Sequence, residues 1–115
     1  MSMVINTRRL DDVAILDLSG RITIGEGAVI LREQIQKLLA SGDRKFLLNL
    51  ADVDYIDSSG LGELVTSFTT VRNQRGQLKL LSLTRRVHYL LQITKLLTVF
   101  ETFDNETEAL KSLKS

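Results

Sequence analysis

The stretch that decides the fold is Asp57-Ser58-Ser59-Gly60-Leu61-Gly62. An apolar run at residues 46–50 and a short segment at residues 53–56 precede it. Apolar residues recur at helical spacing after it, at Leu61, Leu64, Val65, Phe68 and Val71. The block therefore lies where a strand ends and a helix begins. A helix N-terminus presents free N–H groups and partial positive charge, so hydroxyls at this position predict a serine switch that carries phosphate rather than a catalytic centre.

The length and composition are those of one ordinary globular domain. A chain of 115 residues, 43% hydrophobic and 25% charged, is large enough for a single core and is not typical of disorder. The 15 basic residues exceed the 14 acidic residues by one, so we expect no nucleic-acid partner. The chain has no cysteine, which leaves no disulfide or thiolate metal site and suits a reducing compartment.

The apolar runs do not indicate a membrane segment. Residues 1–10 carry two arginines and no long apolar run, so we expect neither a signal peptide nor an anchor there. No apolar run approaches the roughly 20 residues that span a bilayer. We predict no membrane insertion and a cytoplasmic location, and the sequence assigns no oligomeric state.

Strand and helix patterns alternate along the chain after an opening hairpin. Strands are predicted at residues 4–10, 13–18, 44–50, 78–83 and 97–100, with a turn at Asp11-Asp12 and a glycine-bearing loop at residues 20–27. The first helix has the apolar stripe Leu31, Ile35, Leu38 and Leu39 and stops at residues 41–43. The second runs from Ser58 to about Arg75, with Gly76 as its C-terminal cap.

Two further helices follow the same rules. Thr84 is the predicted cap of a third helix, whose inner side carries Val87, Leu90, Leu91 and Thr94. Asn105 and Glu108 resemble a capping box before a last helix that carries Ala109, Leu110 and Leu113.

The element order β-β-α-β-α-β-α-β-α predicts an α/β fold. We expect a single mixed, mostly parallel sheet, with right-handed crossovers, an antiparallel N-terminal hairpin at one edge and helices packed against it. Functional residues in such sheets gather where strand C-termini meet helix N-termini. Ser58, Ser59 and the loop after the second strand should share that edge.

The serines have a second interpretation, because serine and aspartate are ordinary N-cap residues worth about 0.5–2 kcal/mol. One cap needs one side chain, so at least one of three candidate caps is spare, and capping and switching can coexist. A serine enzyme is poorly supported, since there is no Gly-x-Ser-x-Gly elbow and the only histidine is His88. We predict no catalytic residue, no cofactor and no bound metal.

Asp57 also follows the third strand, where bacterial receiver domains accept phosphate on an aspartate. Those domains need an acidic pair at the C-terminal end of the first strand to hold a divalent metal. Asp11-Asp12 is the only adjacent acidic pair, and it lies in a turn at the opposite end of the sheet. We therefore reject the receiver interpretation.

The second helix has an outer stripe of mostly small polar residues. Ser59, Glu63, Thr66 and Thr70 recur at helical spacing opposite the apolar side. This stripe is either an ordinary wet helix face or a docking surface centred on the serine.

Three segments together resemble the STAS-domain anti-sigma factor antagonists of bacteria: residues 49–50, the block at residues 57–62, and Gly76-Gln77-Leu78. The resemblance covers nearly the whole chain, and the block is its most specific part. It implies a single STAS domain over residues 1–115, no enzymatic activity, and partner switching. In that scheme the antagonist binds an anti-sigma factor, often a serine kinase, and so frees a sigma factor; the kinase phosphorylates the antagonist, and a serine phosphatase resets it.

The resemblance implies a phosphoacceptor at Ser58, with Ser59 as the alternative. It implies partner-binding residues at Thr23, Glu26, Asp57, Ser59, Gly60, Gly62, Glu63, Thr66 and Thr70. Many members carry Gly-x-Leu-Asp after the second strand, where this chain has Gly20-Arg21-Ile22-Thr23. If the usual aspartate helps to engage the kinase, Thr23 or Glu26 must substitute here, or phosphorylation is weak or differently regulated. The alternative function is a STAS scaffold or accessory subunit, in a signalling assembly or a lipid transporter, without phosphate turnover.

Overall fold

A computed structural model describes residues 3–114, so residues 1, 2 and 115 of the predicted domain lie outside the described part. The strands are β1 (Met3–Leu10), β2 (Val13–Ile22), β3 (Lys45–Ile56), β4 (Gln77–Leu81) and β5 (Thr102–Phe103). The helices are α1 (Glu26–Ala40), α2 (Ser58–Asn73), α3 (Arg85–Ile93) and α4 (Glu106–Ser112). This is the predicted order of elements.

The strands form one sheet in the order β1-β2-β3-β4-β5. β1 pairs antiparallel with β2, and the other neighbouring pairs are parallel. The predicted α/β fold class is therefore confirmed, including the antiparallel hairpin at one edge.

Both faces of the sheet are covered by helices. Buried side chains of α1, α2 and α3 join one core cluster with alternate residues of the strands, among them Phe46, Leu48 and Leu50 of β3. Leu47 points to the opposite face, where it packs with Ala109 and Leu113 at the C-terminal end of the chain. Because neighbouring side chains of a strand point to opposite faces, this two-sided burial explains the nearly continuous apolar run of β3.

Two strands run further than predicted. The predicted loop at residues 20–27 is wrong for its first three residues, which extend β2 to the buried Ile22. β3 likewise continues through residues 51–56, and Ile22 pairs with Ile56. Two register shifts, one of them next to Gly20 with its φ of 110°, let the strands continue where the apolar alternation is broken.

The predicted strand at residues 97–100 is wrong, since β5 is the two-residue strand that follows it. The backbone N–H groups of Leu96 and Leu97 both donate to the carbonyl oxygen of Leu91, at 2.8 and 3.0 Å, and so form a turn. Phe100 is buried, with its ring edge-on to Phe68 at a centroid distance of 5.3 Å. The apolar run is therefore a turn that packs on the core.

The predicted N-caps of α3 and α4 are confirmed. The Thr84 hydroxyl accepts from the Val87 N–H at 3.2 Å, and the Asn105 side-chain oxygen accepts from the Glu108 N–H at 3.0 Å. Thr94 does not lie on the inner side of α3, because it is exposed just beyond the last turn.

Gly76 does not supply the left-handed residue that ends α2. That conformation belongs to Arg75, whose φ is 66°. Glycine is needed at position 76 for space, because a Cβ atom there would lie 2.4 Å from the carbonyl oxygen of Arg44. Similarly, β4 stops at Leu81 instead of position 83, before Ser82 with its φ of 58°.

Within residues 3–114, none of the helices combines the length and apolar character that crossing a membrane requires.

Candidate functional site

Asp57 joins the two loops at the C-terminal end of the sheet. It is the N-cap residue of α2, and its Oδ1 atom accepts from the Gly60 N–H at 2.8 Å. Its Oδ2 atom accepts from the Ile24 N–H at 2.9 Å, in the loop between β2 and α1. The Ile24 and Gly60 N–H bonds hold the pKa of Asp57 below its usual value, because they stabilise the charged carboxylate. Asp57 therefore fixes the β2–α1 loop beside the first turn of α2.

Gly60 lets α2 begin directly on the end of β2. A Cβ atom at position 60 would lie 1.9 Å from the carbonyl oxygen of Ile22, which also accepts from the Asp57 N–H at 3.3 Å. Gly27 makes the same kind of approach for α1, since its Cβ would lie 2.5 Å from the carbonyl oxygen of Arg21. Both helices thus start against the same strand end. Gly62 differs, because a Cβ there would meet no atom within 4 Å.

The two serines are left out of the cap. Ser58 is exposed, and its hydroxyl forms no hydrogen bond with any residue of the described chain. Ser59 is half-buried and also has no side-chain hydrogen bond within residues 3–114. The cap of α2 is therefore made by Asp57 and not by a serine, and the Ser58 hydroxyl faces solvent.

Two backbone N–H groups at the start of α2 are already occupied. Asp57 takes the Gly60 N–H with its carboxylate and the Leu61 N–H with its carbonyl oxygen, the latter at 2.9 Å. The Gly60 and Leu61 N–H groups are therefore not free to bind a phosphate, and a phosphate held at this helix terminus stays a prediction. A phosphate on Ser58 would project into solvent next to a carboxylate.

The loop that the sequence placed at the same edge does lie there, because Ile24 binds Asp57. Thr23 is half-buried, and Glu26 is exposed at the first position of α1. Ile24 itself was not predicted as a site residue, yet it is the most exposed large hydrophobic residue in the described chain, at 75%. The only sign of this in the sequence is that an apolar residue stands in the loop between Thr23 and Gly25.

The outward placement of Glu63 is wrong. Its side chain is only 6% exposed, accepts from the Arg32 Nε of α1 at 3.2 Å, and accepts from the Ser67 hydroxyl at 3.1 Å. Glu63 therefore lies between α1 and α2. Before the last turn of α2, the exposed positions that continue from Ser58 are Gly62, Thr66 and Thr69, with Thr70 half-buried beside them. Arg72 and Asn73 are exposed in the last turn. We call Ser58, Gly62, Thr66, Thr69 and Thr70 the α2 surface.

A second feature that the sequence analysis missed lies near the end of β3. The ring of Tyr55 has the guanidinium carbon of Arg21 at 5.5 Å from its centroid and that of Arg86 at 5.7 Å. The three residues come from β2, β3 and α3. Their positions are far apart in the chain, so no local pattern signals their contact.

The described residues contain no group of three or more His, Cys, Asp and Glu side chains able to hold a metal ion. Asp12 of the hairpin turn contacts Lys45 at the start of β3, whereas Asp57 follows the end of that strand. The two carboxylates therefore lie at opposite ends of β3 and cannot share one metal ion. His88 is exposed on α3.

Comparison with known proteins identifies the class. A model of the STAS domain matches residues 4–109, and the chain therefore belongs to the STAS domain family. Among its relatives, the anti-sigma-B factor antagonist of Bacillus subtilis is 32% identical over 101 residues, which cover 88% of this chain and 91% of that protein.

Solved structures share the fold. The crystal structure of TM1081 from Thermotoga maritima is 28% identical and superposes with a TM-score of 0.89, covering 96% of this chain and 95% of that one. The phosphorylated form of Bacillus SpoIIAA is 17% identical and superposes with a TM-score of 0.75, covering 96% of this chain and 100% of that one.

Proposed function

We propose that this chain is an anti-sigma factor antagonist that binds an anti-sigma factor while unphosphorylated and is released by phosphorylation of Ser58. The observation that carries the proposal is the exposed Ser58 hydroxyl, which takes no part in the cap that Asp57 makes. A kinase can therefore reach the oxygen, and its modification breaks no hydrogen bond of the described chain.

The α2 surface, with the loop at residues 23–26, is the proposed partner interface. Its side chains at positions 62, 66, 69 and 70 are glycine or threonine, which leave a flat surface with little charge. Thr23 and Glu26 belong to the loop, and one of them takes the place of the family's usual aspartate. Ser59 borders the α2 surface. Asp57 and Gly60 position this interface, because their hydrogen bonds hold the β2–α1 loop beside the start of α2.

Phosphate acts on this surface through its charge. Phosphoserine adds about −1.5 to −2 charge units, next to the carboxylate of Asp57. In the free protein the added charge is hydrated, whereas a docked partner would remove its water. Moving a complex from 99:1 to 1:99 takes about 5.5 kcal/mol, and desolvating an ion opposes binding by several kcal/mol. One phosphate is therefore enough to abolish the complex.

The remaining roles belong to other proteins. ATP binds to the anti-sigma factor, which acts as a serine kinase, and a serine phosphatase resets Ser58. This chain has no catalytic activity and no cofactor of its own, acts in the cytoplasm, and forms a single STAS domain over residues 1–115. A scaffold role without phosphate turnover is the weaker candidate, because it gives no use to the free hydroxyl.

The test mixes the chain with ATP and the purified anti-sigma kinase from the same genome, then locates phosphate by peptide mass spectrometry. We expect it on Ser58, and Ser59→Ala serves as the matched control that still accepts it. Titration calorimetry should find that Ser58→Asp binds the kinase at least about 100-fold more weakly, with an unchanged thermal midpoint. Ser58→Ala should bind and resist release by ATP. Tight binding by Ser58→Asp, or a stable complex whose chain stays unmodified, contradicts the switch, and the latter supports the scaffold.

A further inference from the structure

The exposed cluster of Arg21, Tyr55 and Arg86 is held in place by the fold. Arg21 and Tyr55 are register partners on the parallel strands β2 and β3, and Arg86 reaches the same ring from the first turn of α3. Tyr55 is 37% exposed, and both arginines are exposed. Guanidinium groups at 5.5 and 5.7 Å from one ring centroid are within the range of cation–π attraction.

The charges of this cluster are not neutralised within the described chain. Arg8, Arg9 and Arg32 each contact a carboxylate, whereas neither arginine of the cluster forms an ion pair with any of residues 3–114. Both guanidinium charges are therefore available to an external anion. A guanidinium also matches a carboxylate in bidentate geometry.

The surface around the cluster has the composition of a protein interface. Tyr89 and Ile93 follow Arg86 by three and seven residues, so they lie on the same side of α3, and they are 58% and 54% exposed. No acidic residue occurs in α3, which carries two arginines and a histidine. Exposed tyrosine and arginine are enriched at interface hot spots.

This surface also adjoins the proposed interface. Arg21 comes two residues before Thr23, and Tyr55 comes two residues before Asp57. A protein that covers the start of α2 and the β2–α1 loop would therefore reach the cluster with a neighbouring segment.

We propose that the basic-aromatic surface, made of Arg21, Tyr55, Arg86, Tyr89 and Ile93, docks an acidic segment of the anti-sigma factor. The inference rests on the proposed function and assigns a second contact to the same partner. Carboxylates of the partner pair with the two guanidinium groups, and its apolar side chains pack on Tyr89 and Ile93. Because rim charges steer association, this contact should raise the association rate and make it dependent on salt.

The test compares Arg21→Glu and Arg86→Glu with Arg75→Glu as the matched control, which makes the same change of charge at an exposed arginine outside the cluster. The probe is the purified anti-sigma factor from the same genome, with kinetics measured at about 50 and about 300 mM NaCl. Each cluster variant should bind about tenfold more weakly at low salt and lose most of its salt dependence. The control should stay within about twofold of the wild type. Arg86→Gln, which removes charge without reversing it, should give a smaller loss in the same direction.

Three results overturn the inference. If both cluster reversals bind like the control while Ser58→Asp still fails to bind, the acidic docking is wrong and the proposed function stands. A concentration-dependent dimer of this chain that is lost in Arg86→Glu would assign the surface to a second copy. If the wild type does not bind the anti-sigma factor at all, the proposed function and this inference fail together.

Discussion

Replacing Gly60 with alanine tests how α2 is seated on β2. The new methyl carbon would lie 1.9 Å from the carbonyl oxygen of Ile22 and 2.9 Å from its Cγ2 atom. Since the nearer obstacle is backbone, the helix start or the strand end must move by about 1 Å or more in a closely packed interior. That movement also disturbs the 2.8 Å hydrogen bond from the Gly60 N–H to Asp57.

The size of the effect follows from two opposing contributions. Overpacking destabilises proteins by about 1–3 kcal/mol, and occasionally more. Alanine in a helix is favoured over glycine by up to about 1 kcal/mol. Because a backbone oxygen cannot rotate away as a side chain can, we expect the free energy of unfolding of Gly60→Ala to fall by about 2 kcal/mol. This corresponds to a thermal midpoint lower by roughly 8 °C.

Gly62→Ala is the matched control, two residues further along the same helix. Its Cβ would meet nothing within 4 Å, so helix propensity alone should raise stability by about 0.5–1 kcal/mol. Equilibrium unfolding in urea measures both variants, and the two changes should have opposite signs. A Gly60→Ala protein as stable as the wild type, or a similar loss in both variants, would refute the described contact between α2 and β2.

Two further substitutions test the polar groups of the site. Asp57→Asn removes the charge and leaves one acceptor oxygen for the Gly60 and Ile24 N–H groups, so at pH 7 it should be about 1–3 kcal/mol less stable than the wild type. Because the pKa of Asp57 is lowered on folding, the part of this difference that comes from the charge is fully present above the ordinary carboxyl pKa of about 4. It should be lost as the pH falls from there through the lower pKa of the folded state. Urea unfolding at pH 7 and at low pH measures the change, and a difference that does not shrink in acid would count against the charge. Glu63→Ala leaves the Ser67 hydroxyl and Arg32 without their acceptor, so the free energy of unfolding should fall by about 1–3 kcal/mol. The measurement is the thermal midpoint, which should be lower than that of the wild type. Glu33→Ala, at an exposed position of α1, is the control. Equal thermal midpoints for the two variants would contradict the placement of Glu63 between α1 and α2.

Local rules were sufficient to predict much of the fold from the sequence. The order of elements follows from switches between the periods 2 and 3.6, and Thr84 and Asn105 are caps by their own side-chain chemistry. The pairing of strands is not local. β2 continues past Gly20 because Ile22 pairs with Ile56 on β3, and this pairing cannot be predicted from the sequence around either residue.

The site was predictable to the same extent. Ser58 sits at a helix start that the flanking patterns define, and the structure leaves its hydroxyl exposed there. Glu63 was misplaced because helical spacing gives the angle of a side chain but not the identity of the neighbouring element. Here that neighbour is α1, which carries Arg32. The contact of Tyr55 with two arginines depends in the same way on three elements meeting in space.

The unequal covering of the sheet has a consequence for how the chain opens. Three helices pack on one face, whereas the other face is shielded within the described chain mainly by the seven residues of α4, through Ala109 and its neighbour Leu113. Because α4 is short and has few contacts to break, its detachment from the sheet should cost less free energy than the opening of any other helix or of the central strands. Amide hydrogens of α4 should therefore exchange with deuterated solvent well before those of β3, and Leu47 would be wetted transiently while the opposite face stays dry.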